Sequence, residues 1–120
     1  MTITSCILYY SLMSGINPAI TEAIINVESK GNPFALGKLG DSGLMQIRHQ
    51  FVPETQQQLF QSCTNIMRGV QILKQVKEKC KHKLNNTWLI CYNLGIRGGA
   101  KIKRPTSFIY YKKVMEEFKK

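Results

Sequence analysis

Acidic residues are scarce in this chain: 7 Asp and Glu stand against 17 Lys and Arg, a net charge of +10 over 120 residues. Any chemistry that needs a carboxylate therefore has few candidates. Histidine is scarcer still, with only His49 and His82, far apart in sequence. The four cysteines, Cys6, Cys63, Cys80 and Cys91, have neither C-x-x-C spacing nor a neighbouring histidine pair. A zinc site is not expected from such a set, and neither a metal nor an organic cofactor is called for. No apolar run is long enough to span a bilayer. There is no internal repeat, no heptad array and no convincing run of alternating strands. The positive charge comes without a helix-turn-helix, zinc-finger or RNA-binding signature, so nucleic acid is not the expected partner.

What is present describes a folded protein. A composition of 43% hydrophobic and 20% charged residues is ordinary for a globular chain, and the length suits one small domain over residues 1–120. The charge is uneven: residues 1–60 carry 3 Lys/Arg against 4 Asp/Glu, and residues 61–120 carry 14 against 3. A basic second half favours a polyanionic partner, or else is a solvated face. The apolar stretch at residues 6–13 has no Lys or Arg before it and is expected to be a core helix, with a short signal-peptide-like segment as the alternative because the small residues Ser14 and Gly15 follow it. The cysteines suit either buried thiols or two disulfides in an oxidising compartment.

Asn17-Pro18 opens the clearest helix, because Asn is a strong N-cap and Pro fits the first helical position. Ile20, Ala23, Ile24 and Val27 follow at i, i+3, i+4 and i+7, the spacing of one buried face. On that helix Glu28 falls at the border of the apolar stripe, while Glu22 points to solvent. Glycines and Pro33 then break the pattern, and at most a small β-turn element is expected near residues 31–42. A second helix runs from Thr64 to Cys80, with Gly69 on its inner face marking a close helix–helix approach. Asn86 can cap a short helix through Trp88, Leu89, Cys91 and Tyr92 that Gly95 ends, and a basic linker with Gly98, Gly99 and Pro105 follows. The last helix begins near Thr106 or Ser107 and buries Tyr111, Val114, Met115 and Phe118. The fold class is mainly α with a minor β element.

Glu28 is the carboxylate with chemical promise. It sits at the edge of an apolar face, immediately before a glycine-rich loop, where partial desolvation raises a carboxyl pKa toward neutrality. The negative end of the helix dipole also holds its proton more tightly. By spacing alone a surface glutamate at a helix end is the commoner reading.

Glu28-Ser29, then Gly43-Leu44-Met45-Gln46-Ile47, then Asn65-Ile66 with Gly69 and Leu73, then Tyr92-Asn93-Leu94-Gly95 resemble, in order and spacing, the motifs of the soluble lytic transglycosylase family. The resemblance covers about residues 16–115, with Tyr111 and Val114 matching the closing helix. The form around Asp41-Ser42-Gly43 and Cys63-Thr64-Asn65 looks most like small stand-alone enzymes of secretion systems and some phages. The resemblance implies a lysozyme-like α+β fold with a cleft, a peptidoglycan substrate, and action at the bacterial cell envelope. It makes Glu28 the catalytic acid, which cleaves the bond between N-acetylmuramic acid and N-acetylglucosamine and leaves a 1,6-anhydro product. Among substrate contacts it implies Gln46 as an amide lining the cleft, Met45 as an apolar cleft residue, and Tyr92 as a tyrosine whose hydroxyl approaches the acid. Asn93 and Ser29 join them, whereas Asn65 and Gly69 are structural. The chain is expected to act as a monomer without a cofactor, with Lys101, Lys103 and Arg104 as contacts to anionic wall or outer-membrane polymers. Two alternatives stay open: a lysozyme-type hydrolase in which Asp41 positions water, and a non-catalytic basic module that binds wall polymer. One departure from the family pattern is Gly37, where a serine near the acid is usual. Its hydroxyl is then missing or supplied by Ser42.

Overall fold

Side-chain caps set the first two helices. In a computed structural model describing residues 1–120, the Thr2 hydroxyl accepts from the Ser5 amide at 3.0 Å and opens helix α1, Ile3–Met13. Asn17 accepts from the Ala19 amide at 2.9 Å and opens α2, Pro18–Ser29, with Pro18 at the first position as the sequence predicts. Lys30, in the left-handed conformation, closes α2. Between these helices the Ser11 and Thr21 hydroxyls share a buried hydrogen bond of 2.7 Å, so neither polar group is orphaned in the core. Helix α1 corrects its expected role. Cys6, Ile7 and Ser11 are buried, but Leu8, Tyr9, Leu12 and Met13 are exposed, so only half of it is core.

The β element lies further along the chain than expected. Strands β1, Asp41–Ser42, and β2, Ile47–Arg48, pair antiparallel with Asp41 opposite Arg48 and Ser42 opposite Ile47, and Leu36 adds one isolated bridge to Ser42. The tight loop between the strands needs Gly43, whose φ is +78°; a Cβ there would run into the Asn65 amide and the Leu59 carbonyl. Asn65 is buried and ties this region down. Its Oδ1 accepts from the Met45 amide at 2.8 Å, and its Nδ2 donates to the carbonyls of Ser42 at 2.8 Å and Leu59 at 2.9 Å. The structural role predicted for Asn65 is the one observed.

A Thr55–Gln58 capping box starts the short α3, Gln56–Leu59, and α4, Ser62–Lys79, follows two residues earlier than the apolar pattern indicates. Helix α4 is the central element, contacting α1 on one side and α5 on another. Its inner stripe is Ile66, Gly69, Val70, Leu73 and Val76. The close approach at Gly69 is to Met45 of the strand loop, not to a second helix: a Cβ there would overlap the methionine sulfur. Helix α5, Leu89–Ala100, is two helical segments, the first of which Gly95 ends as expected. The glycine breaks it with φ 80° and ψ 167°, and the helix resumes over part of the expected linker. Helix α6, Ile109–Phe118, starts later than expected, after a 3-10 turn at Pro105–Ser107, and packs across α2. It buries Tyr110, Tyr111 and Val114 and leaves Met115 and Phe118 half-buried.

All four cysteines are paired, which decides between the two readings of the sequence. Cys6 joins α1 to Cys63 at the start of α4, with 5.6 Å between Cα atoms, and Cys80 joins the end of α4 to Cys91 of α5, at 6.1 Å. No helix is long and apolar enough to cross a membrane.

Candidate functional site

The C-terminal turn of α2, the strand loop, the outer side of α4 and the break in α5 enclose a cavity of about 640 Å³. That is an ordinary size for a ligand site. Glu28 enters from the end of α2, where the left-handed Lys30 stops the helix two residues later. Tyr110 of α6 donates its hydroxyl to Glu28 Oε2 at 3.1 Å, a contact between residues 82 apart in sequence.

The environment makes Glu28 a reluctant anion. Its pKa rises from 4.5 to about 7, chiefly because burial strips water from the carboxylate. The Tyr110 hydrogen bond pulls it back, and the negative charge of Asp41 pushes it further up. Burial, with the charge of Glu28 nearby, raises Tyr110 and Tyr92 well above the ordinary phenol range, so both remain hydrogen-bond donors at neutral pH. Glu22, on the same helix, is exposed, as the periodicity requires.

Asp41 also lines the cavity, but it is not a free carboxylate. Arg48, opposite it across the strand pair, holds Asp41 Oδ1 through Nε at 2.9 Å. A second ion pair borders the site: Arg68 of α4 grips Glu54 in a two-pronged contact, Nε to Oε1 and Nη2 to Oε2, both at 2.8 Å. The Arg68 guanidinium keeps the Glu54 carboxyl below the usual carboxylate range. Gln71, Ile72 and Gln75 continue along the same side of α4, and Phe51, 75% exposed, stands at the lip. Amides, guanidiniums and a solvent-facing ring suit a ligand rich in hydroxyl and amide groups.

The residues anticipated for substrate binding divide into two groups. Gln46, Tyr92 and Asn93 line the cavity, with Asn93 exposed. Gln46 uses its amide hydrogens on the carbonyls of Ala35, at 3.1 Å, and Gly43, at 3.0 Å, which leaves its oxygen as an acceptor. Met45 and Ser29 do not line it. Met45 is fully buried against Gly69. The Ser29 hydroxyl donates to the Ile25 carbonyl at 3.1 Å and accepts from the Gly31 amide at 3.2 Å, closing its own helix end. The tyrosine hydrogen-bonded to the acid is Tyr110, whereas the Tyr92 hydroxyl donates to the Met45 carbonyl at 2.7 Å. Tyr110 has no local signal in the sequence, because the pattern of the last helix singles out Tyr111 and the contact to Glu28 is purely tertiary. Arg68, Gln71 and Gln75 of α4 carry no signal for a similar reason, since a polar stripe on a helix resembles a solvated face until its surroundings are known. Arg48 of β2 gains its place only from the strand pairing that sets it opposite Asp41.

Gly37 also has a structural explanation. A Cβ at that position would lie 2.8 Å from Gln46 Oε1 and 2.9 Å from the Asp41 Cβ, so the Gln46 amide and Asp41 occupy the space where a serine side chain would begin. Ser42 does not supply the absent hydroxyl, since it donates to the Gly40 carbonyl and accepts from Gln56. Nowhere do three His, Cys, Asp or Glu side chains come together in a way that could hold a metal ion.

Replacing Tyr110 with Phe removes the one hydrogen bond that lowers the Glu28 pKa. The alkaline limb of any activity that depends on protonated Glu28 should then move up by about 0.5–1 pH unit, the equivalent of a hydrogen bond worth about 1 kcal/mol. A pH–rate profile of the Tyr110→Phe variant checks this, and an unmoved limb would count against the contact.

A family model described as transglycosylase SLT domain matches residues 5–112. No curated protein and no solved structure matches the chain.

Proposed function

The chain belongs to the transglycosylase SLT domain family, and from that membership we propose that it is a peptidoglycan lytic transglycosylase with Glu28 as both acid and base. The bond cut is the β-1,4 link between N-acetylmuramic acid and N-acetylglucosamine, which sets the site of action in the bacterial cell envelope. One observation carries the reading: a carboxyl with a pKa of about 7 lines the cleft, while the only other carboxylate near it, Asp41, is tied to Arg48.

Protonated Glu28 gives its proton to the glycosidic oxygen as the bond breaks. The resulting carboxylate then takes the proton from the 6-hydroxyl of the muramic acid as that oxygen attacks C1. The products are a 1,6-anhydro end and a new free hydroxyl, with Glu28 again protonated and no water consumed. A pKa near the working pH serves both halves of this cycle. The substrate's own N-acetyl group shares the positive charge that a second carboxylate handles in many glycosidases. Gln46 and Asn93 hold sugar groups, Tyr92 closes the wall, and Met45 and Ser29 act from behind as supports. The exposed Lys101, Lys103 and Arg104 attract anionic wall polymer.

The presence of Asp41 in the same cavity supports a second reading, a hydrolase in which it positions water. Mass spectrometry of digested sacculi separates the two. Anhydromuramyl ends are the expected product, and exclusively reducing ends would establish the hydrolase instead.

A further inference from the structure

Helix α1 is apolar on both sides. Its inner side carries Cys6 and Ile7, yet Leu8, Tyr9, Leu12 and Met13 are 47%, 53%, 67% and 71% exposed. Leu8 and Leu12 lie one turn apart, with Tyr9 beside them, so the exposed residues form one continuous face. No charged side chain occurs before Glu22 to interrupt it. Scattered apolar residues on a surface need no explanation, but a contiguous helix face does.

The border of this face is basic. The Cys6–Cys63 disulfide fixes α1 to the start of α4, and Lys77 Nζ donates to the Gly15 carbonyl, just past the end of α1, at 3.4 Å. The two helices therefore run side by side in the same direction. The α4 stripe on that side is Cys63, Met67, Val70, Lys74 and Lys77, spaced i, i+4, i+7, i+11 and i+14, so it turns to lysine where α1 exposes Leu12 and Met13. Lys83 Nζ donates to the Lys77 and Glu78 carbonyls, both at 2.8 Å, and brings the 80% exposed Leu84 to the same corner. None of these three lysines is in an ion pair, and Glu78 is the only acid on α4. The α4 residues that line the cleft lie around the helix from this stripe's centre, Gln71 by about 80° and Gln75, Arg68 and Ile72 by about 120–180°.

We infer that this corner is a docking surface for an anionic lipid bilayer. Helix α1, 11 residues long, is too short to span and lies flat, with Leu8, Tyr9, Leu12 and Met13 at the boundary between headgroups and acyl chains. Lys74, Lys77 and Lys83 face the lipid phosphates, the charge complement that a basic rim around an apolar strip calls for. A second copy of the chain is a poorer occupant, because it would bring two lysine rims of the same sign together. The inference is independent of the glycan chemistry, and either can fail without the other.

Sedimentation with vesicles tests it. The protein should pellet with phosphatidylglycerol–phosphatidylcholine vesicles and stay in solution with phosphatidylcholine alone. The triple variants Leu8→Ser/Leu12→Ser/Met13→Ser and Lys74→Ser/Lys77→Ser/Lys83→Ser should each weaken binding at least about tenfold. All six residues are exposed and none lines the cleft, so cleavage of purified peptidoglycan should stay as in the wild type. The apolar variant should keep its melting temperature, whereas the lysine variant also gives up the Lys77 and Lys83 contacts to backbone carbonyls and should melt slightly lower, so binding is compared well below either melt. Lys101→Ser/Lys103→Ser/Arg104→Ser removes the same charge elsewhere and should weaken binding far less. The inference is overturned if the wild type ignores anionic vesicles, if the apolar variant binds as well as the wild type, or if the control loses as much as the Lys74 set. It is also overturned if light scattering finds a dimer that the apolar variant abolishes, which would assign the face to self-association.

Discussion

Glu28→Gln should lose glycan cleavage by about 10²–10⁴-fold, toward the upper end under the proposed mechanism, in which one group performs both proton transfers. The same substitution should make the protein more stable at and above neutral pH. Glu28 holds its proton to about pH 7 in the folded chain, whereas an ordinary glutamate releases it near 4.5. Between those values the native state binds more protons than the unfolded state, so this group's contribution to stability falls as pH rises through the window. Above it, folding works against a cost of about 3 kcal/mol for an ionised carboxylate in a desolvated place. Glutamine keeps an acceptor for Tyr110 and carries no charge. Thermal melts at pH 5 and pH 8 should therefore separate for the wild type and nearly coincide for the variant, once the other groups' common pH dependence is subtracted. Surviving lysis would remove Glu28 from the mechanism, and a variant no more stable than the wild type at pH 8 would contradict the desolvation. Lysis by the wild type, with binding to sacculi but no lysis by the variant, would distinguish an enzyme disabled at Glu28 from a module that never cut.

Reduction should have the other large effect. The Cys6–Cys63 bond closes a separation of 57 residues and the Cys80–Cys91 bond one of 11. Chain-entropy arguments assign about 4 and about 3 kcal/mol to loops of those sizes. Together they approach the whole stability of a typical small domain. Full reduction should lower the melting temperature by at least about 15 °C. Calorimetry with and without reductant, alongside titration of the thiols released on denaturation, checks this. An unchanged melt, or four titratable thiols before reduction, would be decisive against it. The shorter bridge has a further effect on the site, because Cys91 directly precedes Tyr92 and Asn93. A Cys80→Ala/Cys91→Ala variant should lose activity beyond what its loss of stability explains, whereas Cys6→Ala/Cys63→Ala should act through stability alone.

The parts of this molecule legible in its sequence are those set by local chemistry. Asn17 and Pro18 announce a helix, and the spacing from Ile20 to Val27 tells which side is buried and that Glu28 lies at its margin. The ordered motifs, with Glu28, Gln46 and Tyr92 among them, locate the cleft. Distant segments decide what could not be read. Tyr110 and Tyr111 are adjacent residues of the same type, and only the packing of α6 across α2 gives the first of them to Glu28. Met45 is an apolar residue within a recognisable motif, and its burial depends on Gly69 lying opposite. Gly95 ends the first segment of α5 as the sequence indicates, but a second helical segment follows it directly and takes in Gly98 and Gly99, which read as linker. The outer face of α1 misleads for the opposite reason. Its apolar residues follow a core pattern, but no element packs against them.

Asn65 has a consequence for how the cleft can move. One side chain engages an amide of the strand loop and two carbonyls, one on β1 and one at the end of α3. Opening the floor at any of these points would strand buried polar groups at the others, so that floor opens all at once or stays shut. The rim has no such tie: Phe51, Asn93 and Leu94 are exposed around the same cavity. The exposed rim is where a ligand would meet the cavity, while the Asn65 hydrogen bonds tie the backbone beside Gln46 in place.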